Sequence, residues 1–526
     1  MTQEGTLPYL VAKLEQSLKN NTDIASERLW YAIRSALDPK LLISGLAEAM
    51  RVPAEETEQL LKENGFGDLV AQSKLSETQN IADSASQKNY LIPSQGEPLS
   101  PFEELFSIEF SPPLSQSIQL TPPQYEAVSL MVKDITQTVK NDAFLPLYRE
   151  EVIKYYDQFM ATDAKSIDRF IANNFKQGYP KYIVNSGIGA NEQFNHFLAY
   201  LNNLDSRREL TWLIVDSPRH LMRLPPDANI ENTLFMEFSR SGKTEETVKI
   251  HEYTSREAKR IVFANRGPLR DLGIRDKNLV LEFPDQVSGR FGRNKTPILL
   301  SPMHAAKMDT NRFWQMIENA VNAFDLSSPS SLPAQIAQFI YLYQQKNSIN
   351  HIYFGCNDDL LDCSVDEFLQ LWNEGVNKNN NDITMSSYFG LLRDSHLNIE
   401  AILANHKTKM GLFLLRGDMA PSQLPPMTSR EIDPINPAHK GLRLGEEELI
   451  LAEANYLRFR DLMPSIKITV HGELTMEHAA VLGQLWLDLT YFYARMVNVD
   501  PTSNPEIKLV RDRSAKLLAD AAAKKH

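Results

Sequence analysis

The sequence predicts an α/β protein: two parallel-sheet units preceded by a helical N-terminal extension. Short apolar runs recur between Tyr182 and Phe283 and again between Ile349 and Val470, with helical patterns between several of them, the alternation that builds parallel sheets. One run, Leu234-Phe-Met-Glu-Phe238, passes through the polar turn Ser239-Arg-Ser-Gly-Lys-Thr244 into a segment of helix formers. That segment opens with Glu245 and Glu246, where a helix dipole favours acids. A chain of 526 residues also exceeds what one hydrophobic core supports, so two or three domains are expected.

Composition narrows the class. The 42% hydrophobic and 23% charged content is globular, and no apolar run reaches the roughly 20 residues of a membrane-spanning helix, so no membrane partner is expected. The start, Met-Thr-Gln-Glu-Gly, does not resemble a signal peptide, and Cys356 and Cys363 cannot build a disulfide framework or a multi-cysteine metal site. The expected compartment is the cytoplasm. A net charge of -12 argues against general nucleic-acid binding and makes any anion site depend on a local cluster of donors.

Residues 1–100 read as the extension and a linker. Helices are expected at Leu7–Leu18, Ala25–Leu37, Pro39–Met50 and from Glu55, and the stretch from Gln72 to Pro101 turns to Ser, Gln, Asn, Asp and Pro. Short helices in this order also suit a helix-turn-helix module. Against that, Glu55, Glu56, Glu58 and Glu63 crowd the segment that would face phosphates, which favours a packing or oligomerisation appendage.

Residues 101–325 read as helices (from Pro122, at Tyr148–Met160 and at Ser166–Phe175) followed by the first sheet unit. Its strands are expected at Tyr182–Val184, Leu210–Val215, Leu234–Phe238, Arg260–Ala264 and Leu279–Phe283, with helices at Glu192–Leu204 and Glu245–Lys259. The second unit, 326–526, opens with a helix at Leu332–Tyr343. Strands follow at Ile349–Gly355, Ile383–Phe389, Met410–Leu415 and Ile466–Val470, and helices at Val365–Val376, His396–Asn405 and Glu446–Phe459. The long helix Met476–Met496 is apolar on several faces. Its Gln484, Asp488 and Arg495 argue for burial in protein, at a domain or subunit interface. In the terminal helix that follows, Lys508 and Arg511 share a face.

Three stretches offer chemistry. At the turn after Phe238, the hydroxyls of Ser239, Ser241, Thr244 and Thr247, the Lys243 ammonium and unpaired helix N–H groups could converge on one anion, with Gly242 allowing close approach. An ordinary serine-capped helix explains the same residues equally well. The glycine turn Asn185-Ser-Gly-Ile-Gly-Ala-Asn191 lacks the spacing of a dinucleotide fingerprint, and a tight structural turn accounts for it. On the loop Val287-Ser-Gly-Arg-Phe-Gly-Arg-Asn-Lys295, Arg290, Arg293 and Lys295 are either oxyanion ligands or solvated charge.

Taken together and in order, these fragments resemble glucose-6-phosphate isomerase. Ser239-Arg-Ser-Gly-Lys-Thr-Glu-Glu-Thr247 is similar to that family's phosphate-binding Ser-Lys-Ser-Gly-Thr-Thr-x-Glu-Thr, Gly187-Ile-Gly-Ala-Asn191 to its Gly-Ile-Gly-Gly-Ser, and Gly289-Arg290 to its Gly-Gly-Arg. Leu371-Trp-Asn-Glu-Gly-Val-Asn-Lys378 resembles its Met-Glu-Ser-Asn-Gly-Lys, Asp394-Ser-His396 its Asp-Gln-His, and Asp500-Pro-Thr-Ser-Asn-Pro-Glu its closing Asn-Pro-Phe-Asp-Gln-Pro-Gly. The resemblance runs from about 180 to 515. It departs at Ala190-Asn191, at Ser395, at Asn504 in place of glutamine, and at Arg511 where the family has lysine.

The resemblance implies two SIS-type (α/β/α sandwich) domains, a sugar phosphate as ligand, a homodimer, and interconversion of glucose 6-phosphate and fructose 6-phosphate through an enediolate. It assigns the carbon base to Glu374, which Trp372 and Leu371 could partly desolvate, and ring opening to His396 with Arg511 beside the sugar ring. Arg290 would hold the enediolate; Ser239, Ser241, Lys243, Thr244 and Thr247 the phosphate; and Gly189, Asn191 and Asn504 the rest of the substrate. No cofactor and no metal are implied: the arginine supplies the electrophile, and no His/Asp/Glu cluster has ligand spacing. A non-catalytic sugar-phosphate sensor or regulator on the same domains is the alternative. It needs only the phosphate turn.

Overall fold

The computed structural model describes, in continuous stretches, residues 101–111, 122–139, 151–187, 190–204, 209–284, 290–378, 383–388, 406–417 and 444–502, with single positions between and after them. The helices and linker expected before residue 100, Gly189, the Asn191 side chain, Gly289, Asp394 to His396, the helix expected at 396–405, Asn504, Lys508 and Arg511 lie outside the described residues. Leu99–His526 forms one compact unit.

In chain order its elements are α1 (Pro101–Leu105), β1 (Phe106–Ser111), α2 (Pro122–Val139), α3 (Val152–Ala161), α4 (Asp163–Asn174), β2 (Tyr182–Ser186), α5 (Ala190–Leu204), β3 (Thr211–Ile214), β4 (Thr233–Phe238) and α6 (Glu245–Tyr253). There follow β5 (Lys259–Phe263), α7 (Pro268–Arg275), β6 (Leu279–Leu281), α8 (Pro297–Ala305), α9 (Thr310–Ala323), α10 (Leu332–Asn347), β7 (His351–Cys356), α11 (Asp359–Gly375), β8 (Thr384–Tyr388), β9 (Lys409–Arg416), α12 (Leu444–Leu462), β10 (Ser465–Val470) and α13 (Met476–Met496).

Two five-stranded sheets result. The first runs β3-β2-β4-β5-β6 and is parallel throughout; the second, taken from its far edge, runs β8-β7-β9-β10-β1 and is parallel except where β1 joins β10. Both therefore share one winding order. In each, the chain leaves an inner strand for one edge and returns to the other side, so strand order reverses between β2 and β4 and between β7 and β9. Ligands of open α/β sheets bind beyond the strand C-termini at such reversals. Strand β4 is buried at all six positions, as a central strand covered on both faces must be, which explains its apolar run, interrupted only by Glu237 between Met236 and Phe238.

The edge strand β1 went unassigned in the sequence because it precedes both strand series. Its pairing fixes it: Glu109 sits opposite Lys467 in register, 3.2 Å from its ammonium, and accepts from Tyr456 at 3.0 Å. Helix α6 stops at Tyr253, earlier than the expected Lys259. The Arg260 guanidinium occupies the space beyond its end, donating to Ser255 O at 2.6 Å and Ala258 O at 3.1 Å.

Helix α13 is buried within the chain itself, packed on α9, α10 and α11. Its apolarity thus belongs to an intrachain core. Two of its polar residues meet partners there: Gln484 Oε1 accepts from Asn294 Nδ2 at 2.7 Å, and Asp488 accepts from the Tyr148 hydroxyl at 3.0 Å beside Arg149 at 3.3 Å. Among the described residues no helix is long and apolar enough to cross a membrane.

Candidate functional site

The turn between β4 and α6 lies at the C-terminal edge of the first sheet, next to the reversal point. The Ser239 N–H continues the ladder to Phe263 O at 3.0 Å, after which Gly242, at φ 63°, turns the chain so that its N–H returns to Ser239 O at 2.8 Å. No side chain larger than hydrogen fits at Gly242. A Cβ there would meet Arg266 O at 1.8 Å, because the 265–267 loop closes over this turn.

Ser239 and Thr244 share a hydroxyl hydrogen bond of 2.7 Å, and Ser239 Oγ also accepts the Thr244 N–H at 3.3 Å. Thr244, the N-cap, therefore makes no side-chain cap on α6, and the first-turn N–H groups keep no side-chain acceptor. The Thr247 hydroxyl is buried without a hydrogen-bond partner. Ser241 and Lys243 are exposed at the mouth, and the acid nearest the turn, Glu245, swings away to Lys249 at 2.5 Å. Partly free helix N–H groups, hydroxyls and an ammonium make this an anion cradle in form.

Behind it, the turn rests on a buried charge network. Glu237, two residues before Ser239, is fully buried on β4, 2.6 Å from His251 Nδ1 and 3.2 Å from Arg260 Nε. His251 reaches Asp276 with its other nitrogen at 3.1 Å. Arg275, hydrogen-bonded to Asp276, holds that carboxyl far below the usual range, with His251 adding to the effect. The network ties α6 to β4, β5 and the end of α7, fixing the helix whose N-terminus forms the cradle. A separate groove lined by Ser217, Arg219, Glu245, Glu246, Lys249 and Tyr253 flanks α6, but its two acids make it a poor anion site.

A second polar cluster lies where the loop after β6 meets the end of α11. Arg290 Nη2 pairs with Glu374 Oε2 at 2.7 Å, while Nη1 donates to Glu374 O at 2.6 Å and Pro501 O at 2.9 Å. The guanidinium is 8% exposed and the carboxylate 25%. Burial pulls Arg290 below its ordinary pKa, and Glu374 and Asp500 work against that pull. Gln370, one turn earlier on α11, donates to Glu374 Oε1 at 2.9 Å, so both carboxylate oxygens are oriented. Trp372 is committed to the core, its indole donating to Ile383 O at 3.2 Å.

Of the three cations on this loop, only Arg290 reaches that carboxylate. Arg293 is buried in the core on the Phe194 ring, its Nη1 donating to the Glu367 carboxyl. Two further participants were not singled out in the sequence, Gln370 and Lys378. The signal for Gln370 is its spacing one helical turn before Glu374; Lys378 lies past the end of α11, where helical spacing gives no signal. Lys378 Nζ donates to Asp500 O at 3.0 Å, and burial together with Arg290 brings it down to about 8. Among the described residues no group of three His, Cys, Asp or Glu is placed to hold a metal ion.

No family model matches the chain, and no curated protein matches it by sequence. Solved structures match by shape. A hypothetical protein from Thermus thermophilus superposes with a TM-score of 0.61 at 18% identity over 78% of this chain and 100% of its own. A glucose-6-phosphate isomerase from Chlamydia trachomatis superposes with a TM-score of 0.60 at 12% identity over 80% of this chain and 89% of its own. Likeness at such identity speaks for the fold alone: the chain is an α/β protein with two five-stranded sheets, one parallel throughout and the other parallel except at β1.

Proposed function

We propose that this chain is an aldose-ketose isomerase that interconverts glucose 6-phosphate and fructose 6-phosphate through a cis-enediolate. The observation that carries the reading is the Arg290–Glu374 pair, a carboxylate oriented on both oxygens beside a largely buried guanidinium, on an SIS fold that also offers an anion cradle. In this scheme the phosphate sits on Ser239, Ser241, Lys243, Thr244 and Thr247. Glu374 takes the proton from C2 of the open-chain aldose, the electron pair moves into a C1–C2 double bond, and the former carbonyl oxygen becomes the anion. Arg290 stabilises that anion without losing its own proton; the C2 hydroxyl then passes its proton to O1, and Glu374 returns the carbon proton to C1 as the C2 oxygen becomes the ketone carbonyl. By the resemblance, His396 and Arg511 open the ring, and Gly189, Asn191 and Asn504 hold the remaining hydroxyls.

This reading takes 101–325 and 326–526 as the two domains, with β1 crossing from the first to complete the second sheet. It also carries a cytoplasmic homodimer, in which His396 is lent to the partner's site, and a place in glycolysis and gluconeogenesis. Fructose 6-phosphate supplied to the full chain, with the glucose 6-phosphate formed read through a coupled dehydrogenase, tests the activity. Binding of fructose 6-phosphate without turnover would replace the isomerase by the sensor.

A further inference from the structure

We propose that Lys378 is a positioning residue that pins the chain leaving α13 to the base of the site. The catalytic consequence rests on the isomerase reading; the pin rests on geometry alone. Past α13, Asn498 adopts a left-handed conformation at φ 54° and the chain folds into the turn Asp500-Pro501-Thr502. The Asp500 carboxylate closes this turn, accepting from Thr502 N at 2.9 Å and Thr502 Oγ1 at 2.7 Å.

The two backbone carbonyls of the turn then point to two different cations. Asp500 O accepts from Lys378 Nζ at 3.0 Å, and Pro501 O from Arg290 Nη1 at 2.9 Å, the same nitrogen that holds Glu374 O at 2.6 Å. The two cations come from separate elements on either side of Glu374: Lys378 from the turn after α11, Arg290 from the loop after β6. Adjacent carbonyls held from two directions fix both the position and the rotation of the turn. Because the Arg290 nitrogen that holds Pro501 O also holds Glu374 O, the turn is registered to Glu374 through the pin.

Among the described residues, three charged groups face Lys378: Arg290 from its loop, Glu374 from α11 and Asp500 from the turn. Burial first, then Arg290, brings the ammonium down to about 8, with Asp500 and Glu374 opposing. Above that pH the amine still donates, but without charge assistance the bond is weaker. The sign for the whole fold is opposite. With a folded value below the unfolded 10.5, the unfolded chain binds more protons between about pH 8 and 10.5, so this group makes global stability rise over that window. A weakening pin is thus distinguishable from general alkaline unfolding.

Hydrogen exchange of the 497–502 segment in the full chain tests the pin, comparing wild type, Lys378→Met and Lys378→Arg, alongside fructose 6-phosphate kinetics from pH 7 to 9.5. We expect Lys378→Met to exchange there about tenfold faster or more, the scale of one charge-assisted hydrogen bond. The KM for fructose 6-phosphate should rise by about as much, with kcat changing less, and the alkaline fall near pH 8 should disappear. Lys378→Arg should restore protection and move that fall to higher pH. Equal protection in Lys378→Met and wild type overturns the pin. If wild type does not turn over fructose 6-phosphate, the isomerase reading fails and the exchange measurement still decides the pin. If Lys378→Met does not fold, wild-type protection of the segment decides: a fall through pH 8, corrected for intrinsic exchange, supports the pin, and constant protection overturns it.

Discussion

Arg290 donates to three acceptors, a carboxylate and two carbonyls on different segments, which only a planar fork can serve at once. A lysine has three donors but on a single nitrogen, and cannot occupy both the Nη1 and the Nη2 positions that reach the carbonyls and the carboxylate. Arg290→Lys is therefore expected to lower kcat/KM for fructose 6-phosphate by about 100- to 1000-fold, the scale of a lost oxyanion donor, with the melting temperature checked in parallel. Activity like wild type would remove Arg290 from the chemistry. Glu374→Gln keeps a hydrogen-bonding side chain but cannot accept a carbon proton. It should cut kcat by roughly 100-fold or more at nearly unchanged KM, and near-normal turnover would sink the assignment. Residue roles on this loop were only half legible in the sequence. Spacing could not say that Arg290 would meet Glu374, 84 positions later, while Arg293 three residues on would turn into the core against Glu367.

At the scale of elements, the cradle is a strand end, a turn and a helix start held by their surroundings. Gly242 is the tightest point, because the 265–267 loop leaves no room for a methyl group. Gly242→Ala should weaken binding of inorganic phosphate by about tenfold or more, strained non-glycine backbone costing of order 1–3 kcal/mol before the clash with Arg266 is counted. The control is Gly178→Ala. There φ is 76°, but nothing lies within 4 Å of the added carbon, so the backbone strain comes without the collision and phosphate affinity should not change. Equal effects of the two substitutions on phosphate affinity, measured by calorimetry, would mean that loop closure does not shape the cradle. The strands and most helices were readable because their apolar periods survive in isolation. Strand β1 was not, since its partner β10 lies some 360 positions away in sequence, and the end of α6 was not, since Arg260 rather than a local breaker stops it.

At the scale of the whole molecule, polar groups from several elements meet in the core around α13: Arg293 with Glu367, Asn294 with Gln484, and Tyr148 and Arg149 with Asp488. The sequence showed Gln484 and Asp488 as misfits in an apolar helix, which argued for burial in protein; it could not show what would meet them there. Glu367 makes this core sensitive to pH. Burial outweighs the attraction of Arg293 and pushes its carboxyl up to about 7, against 4.5 in the unfolded chain. Between those values the folded protein holds the proton and the unfolded chain does not. The stability contributed is therefore fully present below pH 4.5 and is lost as pH rises through 7. A tenfold change in proton affinity corresponds to about 1.4 kcal/mol, so the loss across the window is on the order of 3 kcal/mol. Glu367→Gln keeps the shape and an acceptor for Arg293 but cannot ionise. The Asp488 carboxyl, also pushed up by burial, stays in both proteins and cancels from their difference. Urea unfolding of the two proteins at several pH values should show the wild-type advantage over Glu367→Gln shrinking from about pH 5 to 7.5 and then levelling. A difference that is constant or grows with pH would mean that the guanidinium wins over burial, and that Arg293 and Glu367 enter the fold already as an ion pair.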